Sequence, residues 1–302
     1  MKRYLTKFNN YSEYVAFKQS DEFVKPNVSH CTQENDVHYN PSEWKYEYLT
    51  FEVIDAGTIT LTATNTDVAK TIAYSTNNGR TWTNLTTSTE AQELGGILST
   101  GDKVLVKGNN ASYCSSIQTF NQFGGTAKVN VYGNIMSLIS GDDFADNDVL
   151  NERYTFCKLF YQYTNLFSVE NLILPATTLS SNCYQYMFQD CTSLTTAPEL
   201  PAITLSSNCY QRMFAGCTSL VKAPELPAIT LASYCYNVMF SGCTSLNYIK
   251  AMFTTEPSAT YTSNWVKNVT ANGTFVKNYA ATWTTTGNDG VPSGWTIQTA
   301  TE

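Results

Sequence analysis

The sequence predicts a mixed, multidomain protein: an N-terminal arm, an all-β sandwich, then a short α/β solenoid closed by a β-hairpin. Three observations predict it. Residues 183–249 repeat a 26-residue unit, with cysteines in register at Cys183, Cys209 and Cys235 and again at Cys191, Cys217 and Cys243. Residues 48–137 carry short alternating runs between turn signals, and residues 1–47 show neither pattern. A fixed period of this size means stacked units, each burying its apolar face against its neighbours.

Residues 1–47 place Tyr4, Phe8, Tyr11 and Val15 at near-helical spacing, followed by turn chemistry at Lys25-Pro26-Asn27 and Tyr39-Asn40-Pro41. The segment is too short and irregular for a core of its own. It reads as an anchoring arm, with Tyr4, Phe8, Tyr11, Pro26, His38 and Tyr39 as the docking side chains. Its basic start is not followed by an apolar run, so it is no secretory signal as written. With Met1 present, the expectation is a protein that leaves the cell without a leader. No apolar stretch reaches membrane-spanning length, and no membrane insertion is expected.

Residues 48–139 read as a β-sandwich domain of Ig-like type. YLTFEVI, TITLTAT, TIAYST, RTWTNL, KVLVKG and KVNVYG are β-branched or alternating runs separated by Gly, Asn and Asp turns. Between Ser75 and Trp82 the stretch STNNGRTW resembles the Asp-box hairpin, S-x-D-x-G-x-x-W, with Asn77 in the place of the Asp. Asn77 and Gly79 are expected to take the turn conformation, and Trp82 to pack back on the sheet.

Residues 140–302 form the repeat domain. An acidic stretch, GDDFADNDVLNE, precedes the repeats and reads as a solvated inter-domain loop. Leu159 to Leu179 align as an imperfect first unit, with Phe160 answering Phe188, Tyr163 answering Cys191 and Leu166 answering Leu194. In this alignment the match of Cys157 to the cysteine register is accidental. Within a unit, Ser206-Ser207 offer an N-cap, NCYQRMFAGC spaces Cys209 and Met213 for a short helix, and Gly216 ends it in the left-handed region. Leu220 to Leu226 then run extended, with Pro224 and Pro227 setting the turn onward. The repeats cover about 159–250, and 251–302 form the cap. There, Ser263 to Val269 are expected as a last helical turn, and GTFVKN is expected to pair with GWTIQT as a hairpin.

A net charge of −7 with only 14% charged residues excludes a nucleic-acid binder and an acidic disordered tail. Of nine cysteines, six lie in repeat register, which is how a packing ladder looks, so buried thiols are expected over bridges. The eight-residue cysteine spacing lacks the paired close ligands of zinc modules. His30, Cys31, Asp36 and His38 could be sketched as a metal group, and Asp142, Asp143, Asp146 and Asp148 as calcium ligands. Surface residues and a helix-capping loop are the preferred readings of the two, and no metal or cofactor is expected. Both histidines lie in the arm, away from the cysteine ladder, so no Cys–His nucleophile is formed and no enzyme is expected. One Asp-box and four arginines do not make a sialidase.

The GCTSL blocks (Gly216 to Leu220 and Gly242 to Leu246), the Met-Phe pairs and the ELPAIT turn make this region resemble the BspA-type leucine-rich repeats of Bacteroidetes surface proteins. The usual Ala-Phe pair of that family is Met-Phe here. The flanks PNVSHCTQENDVHYNP (26–41) and NYAATWTTTG…GVPSGWT are similar to segments of gut-bacterial and phage sequences, including virion components of Bacteroides phages. Neither a leader nor an anchor is read in the sequence as written, and on that reading the chain is expected to depart from the cell-surface members. The resemblance implies a leucine-rich-repeat solenoid on a phage virion protein: a head fibre, a capsid decoration or a tail-associated adhesin. Its alternative is a bacterial cell-surface BspA-like adhesin.

Differences between the units mark the positions the fold leaves free. Tyr186, Arg212 and Val238 occupy one column, and Thr196, Lys222 and Tyr248 another. These columns are the candidate ligand surface, for a host glycan or surface protein, and equally the look of an unused solvent face. Other virion proteins would hold the arm, and a homo-oligomer is expected. The invariant Tyr184, Tyr210 and Tyr236 read as packing, with hydroxyls at the rim.

Overall fold

The computed structural model describes residues 47–301. The arm residues Tyr4, Phe8, Tyr11, Pro26, His38 and Tyr39, and the group His30, Cys31, Asp36 and His38, lie outside them. The described chain is mostly β-strand in several sheets with almost no helix. A 3-10 turn at Thr66–Val68 and one helical turn at Ser137–Ser140 are all the helix among the described residues.

Nine strands make the first half: β1 (Leu49–Asp55), β2 (Gly57–Ala63), β3 (Thr71–Ser75), β4 (Thr83–Thr86), β5 (Gln92–Leu98), β6 (Lys103–Gly108), β7 (Cys114–Ser116), β8 (Thr119–Gly124) and β9 (Lys128–Asn134). One sheet runs β9-β1-β6-β3-β4 and the other β5-β2-β8-β7. Alternation builds the space between them: Leu49, Phe51 and Val53 of β1, and Ile59 and Leu61 of β2, are buried. Phe51 meets Phe123 of the opposite sheet with ring centroids 4.9 Å apart.

Three of these strands, β5, β7 and β8, lack an apolar alternation. Asn121 of β8 is fully buried, donating from Nδ2 to the carbonyls of Val68 and Tyr113 and accepting from Thr87. A satisfied buried amide replaces the hydrophobe that would reveal the strand. In the Asp-box hairpin Trp82 packs on Tyr48 as expected, 5.0 Å away. The left-handed residues, however, are Asn78 and Gly79, not Asn77. Asn77 acts through its side chain, accepting from Ser75 Oγ and Thr81 N–H.

The second half stacks its repeats, and the unit is built differently from expectation. NCYQRMFAGC is not a helix. Asn208, Arg212 and Gly216 are left-handed (φ 56°, 55° and 75°), one residue in every four. The N–H groups of Asn208, Tyr210, Arg212, Phe214 and Gly216 donate to Ser233, Cys235, Asn237, Met239 and Ser241 of the next unit, at 2.8–3.1 Å. The N–H groups between them, of Gln211, Met213, Ala215 and Cys217, close local turns onto Asn208, Tyr210, Arg212 and Phe214. Half of the hydrogen bonding therefore leaves the unit, which an α-helix cannot allow. Buried Cys209, Met213 and Cys217 keep a four-residue period, so the apolar pattern resembles a helical one. Ser206-Ser207 cap no helix here.

Rings and thiols line up through the stack. Phe160, Phe188, Phe214 and Phe240 stack with centroids 5.4–5.8 Å apart, and Tyr184, Tyr210 and Tyr236 at 5.8 and 6.1 Å. Such ring pairs each add about 0.5–1.5 kcal/mol beyond their buried area. Tyr184 Oη is buried with no hydrogen-bond partner among the described residues, so the hydroxyls do not mark a rim. The eight described cysteines are buried and free. Cys191, Cys217 and Cys243 each donate Sγ–H to the phenylalanine carbonyl of the preceding unit, at Phe160, Phe188 and Phe214, all at 3.0 Å.

The two halves share one core. Strands β10 (Leu166–Ser168) and β11 (Leu172–Ile173) of the first unit pair in parallel with β9, extending the first sheet. Tyr113 and Phe123 donate their N–H groups to the carbonyls of Thr155 and Leu159 at 2.8 and 2.7 Å, covering the open start of the stack. The first-unit alignment holds: Phe160 stacks on Phe188, and Leu166 closes on Tyr163 as Leu194 does on Cys191. Cys157 faces Cys114 and Phe120 of the first half instead of the cysteine ladder. The acidic stretch is not a solvated loop: Phe144 and Leu150 are buried, and Leu150 N–H donates to Thr178 O.

The expected terminal hairpin is also corrected. β12 (Tyr248–Ala251), β13 (Thr274–Lys277) and β14 (Thr296–Thr299) form a parallel sheet. Two further turns thus continue the stack after its sequence signature fades. Residues 263–269 are a turn of the same left-handed kind, with Asn264 and Asn268 at φ 52° and 61°.

Candidate recognition surface

The two candidate columns become two separate rows. Tyr186, Arg212 and Val238 occupy the middle left-handed position of each unit, with φ of 61°, 55° and 56°. Lys158 and Asn264 extend the row at either end (φ 57° and 52°). A left-handed β-branched valine is costly, so this position is less free than its variability suggests. The Arg212 guanidinium lies 5.7 Å from the Tyr186 ring centre and Lys158 Nζ 5.4 Å from it. Lys158 is already engaged: Nζ donates to Ile117 O at 2.6 Å and sits 4.2 Å from the Phe120 ring. Burial pulls its ammonium below the usual lysine range, against the opposing pull of Cys157 and Cys114. This row braces one turn on the next.

The second row is more open and much longer. Thr196 bridges Ser168 in parallel, Lys222 bridges Tyr248, Tyr248 pairs Thr274, and Thr274 pairs Thr296. At the other end Ser168 pairs Asn130, Asn130 pairs Glu52, and Glu52 pairs Lys103. Thr196 and Lys222 are joined by no bridge, but they hold the same place 26 residues apart in the repeat and line one groove, so the two paired runs together make one line of nine side chains across β6, β1, β9 and the stacked units. Strand spacing near 4.8 Å gives it a reach of roughly 38 Å.

Two adjoining grooves follow this line. One, of about 480 Å³, is lined by Glu52, Lys103, Asn130, Tyr132, Ser168 and Thr196, among others. The other, of about 960 Å³, is lined by Thr196, Lys222, Tyr248, Glu225 and Lys250 together with the prolines of the ELPAIT turns. Glu170, Thr195 and Thr196 line both, and no residue of the Tyr186–Arg212–Val238 row lines either.

The grooves carry charges of both signs, and two ion pairs take up Glu52, Lys103, Glu225 and Lys250, leaving Glu170, Glu199 and Lys222. Lys103 lies 3.4 Å from Glu52 and donates to Tyr132 Oη at 2.8 Å, and Lys250 lies 2.9 Å from Glu225. Burial works to lower the Lys103 ammonium, but the Tyr132 bond and Glu52 outweigh it and leave it raised. Burial raises the Tyr132 phenol. Lys222 Nζ sits 5.2 Å from the Tyr248 ring centre, and Ser168 and Thr196 hydroxyls share a 2.6 Å hydrogen bond.

Lys103, Glu52, Asn130, Tyr132 and Ser168 were not legible as part of a surface, because only the β9–β10 pairing brings them into line with the repeats. The acidic residues do not gather as a calcium site. Asp142 accepts from Tyr48 Oη and Lys107 Nζ, both at 2.7 Å. Burial would raise its carboxyl, yet these two donors hold it below the usual range. No group of three potential metal ligands occurs among the described residues, and none of their helices is long and apolar enough to cross a membrane.

No family model, curated protein or solved structure matches this chain.

Proposed function

We propose that the chain is a non-enzymatic recognition protein of a phage virion, a head fibre, capsid decoration or tail-associated adhesin. Its second half would be a BspA-type leucine-rich-repeat stack and its first an Ig-like sandwich. The arm would hold other virion proteins, and the stack would present side chains to a host-surface glycan or protein. The observation that carries this reading is the row Thr196, Lys222, Tyr248: three otherwise alike units place unlike polar side chains at one open position of a regular lattice. Many weak contacts of this kind add up when copies are displayed together on one particle. The alternative, a bacterial cell-surface adhesin, rests on the same repeats and needs no particle.

Removal of residues 1–46 tests the placement. It spares Glu47, whose carbonyl accepts the Asn134 N–H at 2.8 Å. The shortened chain is expected to fold and to fail to join particles. Normal incorporation into particles would refute the anchoring role, and a chain never found on particles would leave the cell-surface reading in possession.

A further inference from the structure

We infer that the nine-residue register line is a track for an extended, uncharged oligosaccharide lying along the stack axis, across the strands. The inference rests on the recognition reading above and names its ligand class and its site.

Four features select this ligand. First, the line is wholly polar, and all but three of its members are hydroxyl or amide side chains or an aromatic phenol: Asn130, Ser168, Thr196, Tyr248, Thr274 and Thr296, against the charged Lys103, Glu52 and Lys222. Hydroxyls and amides both donate and accept, which suits a chain of sugar hydroxyls. Second, the ionic groups offer little to a charged polymer. Glu52 is matched by Lys103 and Glu225 by Lys250, so neither a polyanion nor a polycation finds a field of one sign. Third, Asn130 lines the groove and its Oδ1 is buried with no hydrogen-bond partner among the described residues. An unmet buried acceptor is costly, and turning this amide toward an entering hydroxyl relieves it. Fourth, Tyr248 offers a half-buried ring at the far end of the groove, a platform for the apolar face of a pyranose.

Geometry disfavours a peptide. An extended peptide binds a sheet by adding to its edge, where backbone groups are free. Here the track crosses the face of paired strands, from β6 through β1 and β9 to β10, whose backbone groups already serve one another. A linear glycan needs only side chains at a regular step, and the strand spacing of about 4.8 Å is close to the advance of one sugar in an extended chain.

The test uses the full chain on an array of neutral hexose and N-acetylhexosamine oligosaccharides printed beside sialylated and sulfated ones. Retention on neutral members, growing with chain length, is expected. Tyr248→Ala and Asn130→Leu are each expected to weaken it at least tenfold, and Arg212→Ala to leave it unchanged. Lys222→Ala, at an exposed side chain, probes the same track should Asn130→Leu fail to fold. Binding only to sialylated or sulfated members, binding indifferent to all three track substitutions, displacement by an extended peptide, or a silent array would each overturn the inference. Attachment of the labelled chain to host cells separates the two levels. Cells bound with a silent array would sink the glycan track and keep the recognition reading. A positive array without cell attachment would do the reverse.

Discussion

Phe123 of the sandwich and Phe160 of the first stacked unit lie ring on ring, centroids 5.6 Å apart and planes 25° from parallel. Phe123 N–H also donates to Leu159 O at 2.7 Å. The aromatic column of the repeats therefore begins inside the sandwich, where Phe123 packs on Phe51. Phe123→Ala is expected to cost about 3–5 kcal/mol. Urea unfolding followed by tryptophan fluorescence, from Trp82 in the first half and Trp265, Trp283 and Trp295 in the last turns, should remain one transition at a lower midpoint. Separate transitions for the two halves would show that the shared core does not couple them.

Burial pushes the ladder thiols up, Cys235 to about 12 and Cys217 well above the usual 9.0, and burial does the same to Tyr184, Tyr210 and Tyr236. The native state thus holds protons that the unfolded state releases above pH 9. Stability is full below pH 9 and falls as pH rises toward 12. Melting temperature measured from pH 7 to 11 should be level to about pH 9 and then decline. A level profile throughout would mean that these groups are not protected as the structure has them.

The same burial predicts silence toward thiol reagents. A native chain at pH 8 should leave the six ladder cysteines unlabelled by a maleimide over hours, and chemical denaturation should expose them all. Rapid labelling of Cys209 or Cys217 in the native chain would contradict the ladder.

Val238 is a β-branched residue held at φ 56°, where Asn264 stands one unit on. Asparagine tolerates the left-handed region far better, and the strain relieved is about 1 kcal/mol. Val238→Asn is expected to raise the melting temperature by about 2–4 °C. An unchanged or lower value would show that Val238 packing outweighs its backbone strain.

In the hairpin between β3 and β4, Asn77→Ala removes the acceptor for Thr81 N–H and Ser75 Oγ and should cost about 1–2 kcal/mol. Asn77→Asp keeps that acceptor and should lose less. Equal losses for the two variants in a thermal melt would assign the effect to the Asn77 Nδ2 donor to Thr81 Oγ1.

The repeat was legible because its landmarks are packing residues: Cys209, Tyr210, Met213 and Phe214 recur and are buried in every unit. The backbone path between them was not. A four-residue apolar period is shared by a helix and by turns with a left-handed residue in every four, and only the destination of each N–H tells them apart. The final turns were hidden for a related reason. Trp265 alone caps both ring columns, 6.3 Å from Tyr236 and 6.2 Å from Phe240, and the indole N–H groups of Trp265, Trp283 and Trp295 donate to the Gly290, Phe253 and Thr270 carbonyls. Of the recognition surface, the variable column at Thr196, Lys222 and Tyr248 was visible, and its continuation to Asn130 and Lys103 was not. That continuation is set by the β9–β10 and β1–β6 registers, which no local pattern encodes.

Every stacked unit passes alternate N–H groups forward and receives from the unit behind, so the joint between Asn182 and Ser207 is the joint between Asn208 and Ser233 over again. The sandwich supplies the donors at one end, and at the other Asp289 Oδ1 takes the Asn264 N–H at 2.6 Å. Both terminators are indifferent to how many identical joints lie between them. Gene duplication or loss in steps of 78 nucleotides would therefore lengthen or shorten the molecule without redesigning either end. Reach becomes a heritable dial that turns by whole units.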